Sequence, residues 1–332
     1  MFPSMPQDGE RDPWGPDRSR EIAKSAPGRA TFAERSSGHG GDADREDPEL
    51  VEDEIEVVAV RRSLSLAIAG FAGLLAFGLV VGAQTTGPDA RTSYAAVIFG
   101  IQALFLFAWM TATRPPAAPV ITGIGAVVGL LTVYIAATSA SVSLLSLFWV
   151  ALAGLFAAVV AQLVRAGDRH RIRESFGNTA AVVFGVAAFA MLVLLTRKPT
   201  GTQSLLVCVS TAGLAVLLAR LADAVYPKPR LAPQVPRGGI GVVLGAMVGT
   251  LGASALGSVL VLPFTPAKGA VLGLVAAGVA VVADLGVNYS EAAREEDTET
   301  PTFWVARHLQ GPLAAFAVVA PVAYAMTTFY LT

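Results

Sequence analysis

The sequence predicts an all-α, polytopic membrane protein with about nine transmembrane helices. Hydrophobic residues make up 54% of the 332 residues and charged residues only 15%, whereas a soluble domain carries about a quarter charged residues. From Arg61 onward, apolar runs of about 20 residues follow one another, each long enough to cross about 30 Å of hydrocarbon. Because lipid offers backbone groups no hydrogen-bond partner, each run is expected to be helical.

The nine predicted spans are separated by turn sequences rich in proline and glycine, such as TTGPDA and TRPPAAP. The spans are 63–84, 92–113, 117–138, 144–164, 178–196, 203–222, 240–262, 267–287 and 312–331.

The segment before the first span has a different composition. Residues 1–62 hold 15 of the 25 acidic residues together with many Pro, Gly and Ser residues. Its low hydrophobicity predicts a disordered, acidic cytoplasmic tail over 1–60, with a short helix over 46–60 and no signal peptide. The predicted division of the chain is this tail, N-terminal transmembrane helices over 61–170, and a second transmembrane region over 171–332.

The distribution of Lys and Arg predicts the orientation of the chain. With a cytoplasmic N-terminus, 13 basic residues lie inside and four outside, which agrees with the positive-inside rule. We therefore expect a multi-pass protein of the cell membrane with an external C-terminus. The 13 inside are Arg61, Arg62, Arg114, Arg165, Arg169, Arg171, Arg173, Arg220, Lys228, Arg230, Arg237, Arg294 and Arg307. The four outside are Arg91, Arg197, Lys198 and Lys268.

Two spans carry glycines at helical spacing. The seventh has Gly241, Gly245 and Gly249, and the eighth has Gly269 and Gly273, followed by Gly278. Such faces let helix backbones approach closely. An opening of the backbone to a ligand is the alternative.

Only two acidic residues after Asp89 fall at the ends of predicted spans, Asp223 and Asp284. Both are placed on the cytoplasmic side, where two carboxylates could share a divalent cation. Alternatively, each is a solvated helix-end residue paired with Arg220 or Arg294.

Other polar features carry weaker hypotheses. His170 and His308 are candidate catalytic groups, although interfacial histidines are common. The cluster RAGDRHRIR (165–173) attracts anionic headgroups or simply fixes topology, and REEDTE (294–299) is expected to be a solvated loop. Cys208 is expected to be a small core residue. No basic patch on a soluble surface indicates nucleic-acid binding.

From about Arg173 to its end, the chain resembles the phosphatidate cytidylyltransferase (CDP-diacylglycerol synthase) family. The resemblance is carried in order by ESFGNTAAVVFGVAAFAMLVLLTRKPTGTQ, LADAVYPKPRLAPQVPRGG, VVADLG and APVAY. It implies a cytidylyltransferase-like C-terminal half. It also implies transfer of CMP from CTP to phosphatidic acid with release of pyrophosphate, using Mg²⁺.

The resemblance implies roles for particular residues. Asp284 matches the first metal-binding Asp of the family, and Asp223 matches the Asp that ends an earlier helix. Lys and Arg side chains would neutralise phosphate charge, and the candidates for lipid or phosphate contact are Arg230, Arg237 and Arg294.

The chain departs from the family's signature at most other ligand positions. Glu291 and Ala292 stand where the family has Lys-Arg, and Gly311 and Ala314 stand where it has its two last aspartates. His308 comes two residues late for the signature histidine. The Ser-Pro-Lys-Lys-Thr-type motif reads VPRGG.

Three interpretations follow. The first is a non-catalytic relative, a pseudoenzyme that binds membrane lipid or pairs with a membrane protein or with a second copy of itself. The second is an active cytidylyltransferase with a metal site rebuilt from Asp284, Asp223 and part of the run Glu295–Glu299. The third and weakest is a transporter.

Overall fold

A computed structural model describes residues 60–85, 91–115, 117–139, 143–164, 172–297 and 304–331, which form nine α-helices and one β-hairpin. The helices are α1 Arg62–Gln84, α2 Arg91–Thr113, α3 Ala118–Thr138, α4 Leu144–Val164, α5 Ile172–Leu195, α6 Gly201–Val225, α7 Gly239–Val259, α8 Pro266–Asp297 and α9 Trp304–Phe329. The strands are β1 Arg230–Ala232 and β2 Val235–Gly238.

All nine described helices are long and apolar enough to cross a membrane. The predicted all-α, polytopic fold is therefore confirmed. The bounds of α1 to α4 agree with the predicted spans to within one residue.

Three later helices extend six or more residues beyond their predicted spans. α5 begins at residue 172 rather than 178, α8 ends at 297 rather than 287, and α9 begins at 304 rather than 312. Hydropathy marks the part of a helix that lies in hydrocarbon, and a helix can continue into water as polar turns. The sequence therefore predicts loops at these three ends, where the structure has further helical turns.

Two helices organise the packing of the bundle. α6 contacts α1, α7, α8 and α9, whereas α5 contacts α2, α3, α4 and α9. Large apolar side chains such as Phe189 of α5 and Phe316 of α9 are fully buried in the core. α4 and α7 are only 22% buried over their most apolar stretches, so most of their apolar surface faces outward, as lipid-facing helices require.

The glycine stripes pack helix against helix, as predicted. All three glycines of the α7 stripe are buried. A Cβ atom at Gly241 would lie 2.6 Å from the Ala219 carbonyl oxygen, and one at Gly273 would overlap the Ala253 side chain. Gly278 has nothing within 4 Å of its Cβ position, so it lies off the packed face of α8.

The connection between α6 and α7 is an antiparallel hairpin that the sequence analysis did not predict. Arg230 pairs with Gly238, and the Gly239 amide donates to the Pro229 carbonyl at 2.8 Å. Strands of three and four residues in a proline-rich connection give no alternating pattern to detect. The hairpin folds β2 back against α6 and α8.

Several predictions concern residues outside the described ranges. These are the tail over 1–59, which includes all but the last residue of the predicted helix 46–60, and most of the basic cluster 165–173. The division at 170/171 and the cytoplasmic N-terminus stay predictions.

Candidate functional site: a buried charged cluster beside a polar cavity

Arg237 lies between the two aspartates singled out in the sequence. It belongs to β2 and is 0% exposed. Its Nη1 donates to Asp284 Oδ2 at 2.8 Å, and its Nε lies 3.1 Å from Asp223 Oδ2. The second contact is an ion pair whose hydrogen is not aligned for a hydrogen bond. The hairpin therefore places the Arg237 guanidinium between two carboxylates from different helices, Asp223 of α6 and Asp284 of α8.

A second arginine completes the arrangement. Arg220 Nη2 donates to Asp284 Oδ1 at 2.6 Å and lies 3.4 Å from Asn288 Oδ1. Arg220, Asp223, Arg237 and Asp284 are each at most 6% exposed, and we call them the charged cluster. Two positive and two negative charges cancel, which is the condition under which buried ions are tolerated.

Hydrogen bonds to the backbone hold the charged cluster in place. The Gly238 amide donates to Asp223 Oδ1 at 2.9 Å, and Ser65 Oγ donates to the Arg220 carbonyl at 2.7 Å. The Asn288 side-chain amide donates to the Asp284 carbonyl one turn earlier in α8. The first two bonds join α1, α6 and β2, and the ion pairs of Asp284 with Arg220 and Arg237 join α8 to them.

α9 approaches the charged cluster through Gly311. A Cβ atom at this position would overlap Asp284 Oδ1 and lie 3.2 Å from Arg220 Nη2. Only glycine leaves room for the carboxylate, so any side chain at Gly311 would have to displace the Asp284–Arg220 pair.

The pKa of the Arg237 guanidinium is lowered by burial and by the neighbouring Arg220, while Asp284 and Asp223 act in the opposite direction. Because the arginine side chain stays protonated in proteins, and because two carboxylates face it, Arg237 is charged. The charged cluster is then neutral as a whole.

The structure corrects the predicted surroundings of the two aspartates. Asp284 is not at a helix end: α8 continues 13 residues beyond it, from 284 to 297, which is about 20 Å of helix. Neither carboxylate is solvated, since Asp223 is 1% and Asp284 0% exposed. Of the partners proposed for them, Arg220 binds Asp284, whereas Arg294 bonds Ser290 on its own helix.

The arrangement does not fit a metal ion. Each of the four carboxylate oxygens of Asp223 and Asp284 already contacts an arginine or a backbone amide. A divalent cation there would have to displace at least one guanidinium. Within the described ranges, no group of three or more His, Cys, Asp or Glu side chains is placed to hold a metal. The side chains of Glu295–Glu299 lie outside the described residues.

A cavity of about 270 Å³ opens beside the charged cluster, and we call it the mouth cavity. It lies among the first turns of α1 and α9, the β-hairpin, and the polar extension of α8. Its lining comprises Val60, Arg61, Leu64, Ser65, Ile68, Arg220, Gln234, Pro236, Asn288, Glu291, Ala292, Arg307 and His308.

The charged side chains that line the mouth cavity are mainly cationic. Arg61, Arg220 and Arg307 bring three guanidiniums, with His308 beside them, against the single carboxylate of Glu291. Three buried polar atoms on lining residues have no hydrogen-bond partner among the described residues: Arg220 Nε, Glu291 Oε1 and the Gln234 amide oxygen. All three atoms are themselves buried, so they are not open to the cavity.

The remaining predicted residues lie elsewhere. Arg230 begins β1 and Arg294 lies in the last turn of α8, and neither lines the mouth cavity. Arg237 faces the two aspartates rather than the surface. Cys208 is fully buried, as expected, and His170 lies outside the described residues.

Comparisons of the chain with protein-family models, with curated proteins and with solved structures gave no match. The resemblance to the cytidylyltransferases therefore rests on the sequence segments quoted above.

Sequence reasoning missed the clustering of Arg220 with Arg237. A signal was present: Arg220 falls inside the predicted sixth span, where an ionisable side chain indicates an intramembrane partner. Arg61 and Arg307 were counted only for orientation. Nothing local in the sequence brings residues 61, 234 and 307 to one cavity.

Proposed function

We propose that this protein is a non-catalytic, cytidylyltransferase-like membrane protein that binds an anionic phospholipid. The proposal is carried by the charged cluster, in which Arg220 and Arg237 occupy the carboxylate oxygens that a metal-dependent transferase would need. Phosphate transfer from a nucleotide requires positive charge on the reacting phosphates, and these carboxylates are already neutralised within the protein.

The position of Gly311 supports the loss of catalysis. By ungapped counting from Asp284, this residue stands where the family has an aspartate, and it lies directly against the Asp284 carboxylate. A second carboxylate at this place would complete a metal site. Gly311 instead leaves space for the Asp284 carboxylate and for the Arg220 guanidinium bound to it.

The mouth cavity supports the lipid-binding part of the proposal. It lies at one end of apolar helices, and the two lining arginines outside the neutral charged cluster, Arg61 and Arg307, outnumber its one carboxylate. Basic cavities between transmembrane helices near a membrane surface bind the headgroups of anionic lipids. We further propose that the cell membrane supplies this lipid and that the cavity faces the cytoplasm. A membrane-protein partner or a second copy remains the alternative role.

The identity of the lipids that stay bound to the purified protein tests this proposal. The full chain would be reconstituted in nanodiscs of phosphatidylcholine, phosphatidic acid and phosphatidylglycerol, released from them, and weighed with its bound lipids by native mass spectrometry. We expect anionic lipids to be enriched at least about fivefold over phosphatidylcholine, since each nearby arginine contributes about 1 kcal/mol. Retention in proportion to the bilayer composition would contradict the proposal.

An active cytidylyltransferase is the second candidate. One observation favours it: Asp223 and Asp284, from different helices, reach the same guanidinium, so a modest shift of the hairpin would leave two carboxylates facing one another. Metal-dependent formation of CDP-diacylglycerol distinguishes this candidate from the first.

A further inference from the structure

We propose that the hairpin between α6 and α7 is an interfacial surface that binds anionic phospholipid of the surrounding bilayer. We call residues 226–232, which comprise β1 and the segment that leads into it, the hairpin surface. It lies apart from the mouth cavity, which reaches this connection only at Gln234 and Pro236. The inference does not depend on the proposed function, because it requires only that α6 and α7 span a membrane.

The lengths of the flanking helices place the hairpin at the level of the lipid headgroups. α7 has 21 residues, or about 32 Å of helix, which is close to the roughly 30 Å of hydrocarbon. α6 has 25 residues, or about 38 Å of helix, so its ends pass beyond the hydrocarbon. The segment 226–238 that joins the two helices therefore lies in or next to the headgroup layer.

Large side chains of the hairpin surface are exposed at this depth. Tyr226 is 64% exposed and Leu231 is 41% exposed, and Val225 at the end of α6 is 61% exposed. Tyrosine is enriched at membrane–water interfaces, where its ring lies in apolar surroundings and its hydroxyl reaches water. Apolar side chains at such an interface bury their surface at the boundary of headgroups and acyl chains. A bilayer surface therefore accounts for the exposure of all three side chains.

The outward face of α7 continues into the hairpin surface. A Cβ atom at Gly239 would lie 3.8 Å from Leu231 Cδ2, so the Leu231 side chain lies against the start of α7. The next residue, Ile240, is exposed and begins an outward face that continues through Val243 and Met247. Because α7 is only 22% buried over its most apolar stretch, lipid covers this face. The same lipid therefore reaches Leu231.

The charged side chains of the connection between α6 and α7 are all positive. Residues 226–238 include Lys228, Arg230 and Arg237 and no acidic residue. Arg237 faces inward to the charged cluster, so the exposed Lys228 and the half-buried Arg230 supply the charge of the hairpin surface. Each basic residue near an anionic membrane surface favours binding about fivefold. The hairpin surface therefore fits anionic phospholipid better than zwitterionic phospholipid.

The two strands of the hairpin face opposite ways. Leu231 of β1 is exposed, whereas Arg237 of β2 is fully buried. Arg230 pairs with Gly238, and the Gly238 amide donates to Asp223 Oδ1 at 2.9 Å. A ligand that binds only the closed hairpin stabilises that state. Lipid bound to β1 therefore also holds Arg237 in the charged cluster.

Selective quenching by lipids tests the hairpin surface. Full-length Tyr226→Cys would be labelled with an environment-sensitive fluorophore, since the native Cys208 is buried, and would be reconstituted in nanodiscs. Phosphatidylglycerol and phosphatidylcholine, each with a nitroxide close to the headgroup, would then be compared as quenchers. We expect quenching by phosphatidylglycerol to be favoured at least about fivefold, which is the contribution of one lysine.

Lys228→Gln tests the charge contact. It should reduce the preference for phosphatidylglycerol about fivefold, and because Lys228 is exposed, it should leave the fold intact. Lys268→Gln is the matched control, since it removes the same charge at the start of α8, at the opposite end of α7. The control should leave the preference unchanged. Equal effects of the two substitutions would overturn the hairpin surface as the site of the anionic lipid.

Leu231→Asn tests the apolar contact separately from the charge. It should weaken quenching by both lipids at least about twofold, because the hairpin surface loses an apolar side chain at the interface while Lys228 remains.

Hydrogen exchange of the segment 226–239 tests the link between lipid and the charged cluster. Exchange should be slower in nanodiscs with phosphatidylglycerol than in phosphatidylcholine alone, and Lys228→Gln should remove this difference. Exchange that did not depend on the lipid would overturn the link to Arg237.

Quenching by water-soluble iodide distinguishes a bilayer contact from exposure to water. A label at position 226 that iodide quenches and lipid nitroxides do not would overturn the proposal, because the hairpin surface would then be open to a soluble partner or to a second copy. That result would leave the proposed function standing, since its own test measures lipid that stays bound after release from the nanodisc.

Discussion

Replacing Arg237 with methionine tests the electrostatic account of the charged cluster. Methionine fills much of the same space, so the main change is the loss of a cation that is 0% exposed. The Asp223 and Asp284 carboxylates then face only Arg220, and the cluster changes from neutral to a net charge of −1. We expect the substitution to lower the free energy of unfolding by about 3–5 kcal/mol, the usual cost of leaving a buried ion uncompensated.

Restoring the charge balance should recover much of that loss. In the double variant Arg237→Met with Asp223→Asn, the remaining Arg220–Asp284 pair, which is 2.6 Å long, is neutral by itself. The double variant should therefore be more stable than Arg237→Met alone, with a coupling free energy of at least about 2 kcal/mol between the two positions. Lys228→Met is the control: this exposed residue of the same connection should change stability by less than about 0.5 kcal/mol.

The assay is unfolding of purified protein in mixed micelles titrated with sodium dodecyl sulfate, followed by loss of helical circular dichroism. If Arg237→Met cost no more than Lys228→Met, the reasoning would be refuted. Strictly additive losses in the double variant would also refute it, because the charges of Arg237 and Asp223 would then not be coupled.

Three further predictions concern packing and orientation. Gly311→Ala should lower the free energy of unfolding by about 1–3 kcal/mol in the same titration, because its methyl group would overlap a buried carboxylate oxygen. Gly245→Ala should lower the free energy of unfolding by a similar amount, since its methyl group would overlap a backbone carbonyl of α6. Gly278→Ala should be neutral or slightly stabilising, because the space around its Cβ position is open. Equal effects at all three positions would contradict this packing. A membrane-impermeant maleimide should label Ala267→Cys in intact cells, but should label Arg62→Cys only after permeabilisation. The single native cysteine is buried, so the unmodified protein should not be labelled. The reverse pattern would contradict the orientation predicted from Lys and Arg.

The number and placement of the spans could be predicted from hydropathy alone. Lipid excludes any alternative to helix for a long apolar run, and the bounds of α1 to α4 needed almost no correction. The ends of α8 and α9 could not be predicted, because polar helical turns outside the hydrocarbon have no hydropathy signal. Because the predicted span ends at residue 287, the sequence predicts Asp284 at a solvated helix end. In the structure, Asp284 lies in the interior of the bundle.

The candidate site was predicted in part. The rarity of acids in the membrane region was enough to select Asp223 and Asp284, which the structure brings to one guanidinium. The identity of that guanidinium was not deducible, because Arg237 reaches them through a hairpin whose strands are too short to leave a pattern. Likewise, Arg61 and Arg307 meet only because α1 and α9 begin at the same end of the bundle.

Transfer of CMP is the measurement that tests the central claim most directly. Purified protein would be incubated with labelled CTP, phosphatidic acid and Mg²⁺, beside the variant Asp284→Ala. Because Arg220 and Arg237 occupy the carboxylates, we predict no CDP-diacylglycerol above the level of the variant. Metal-dependent formation of CDP-diacylglycerol by the wild-type protein, lost in Asp284→Ala, would contradict the account.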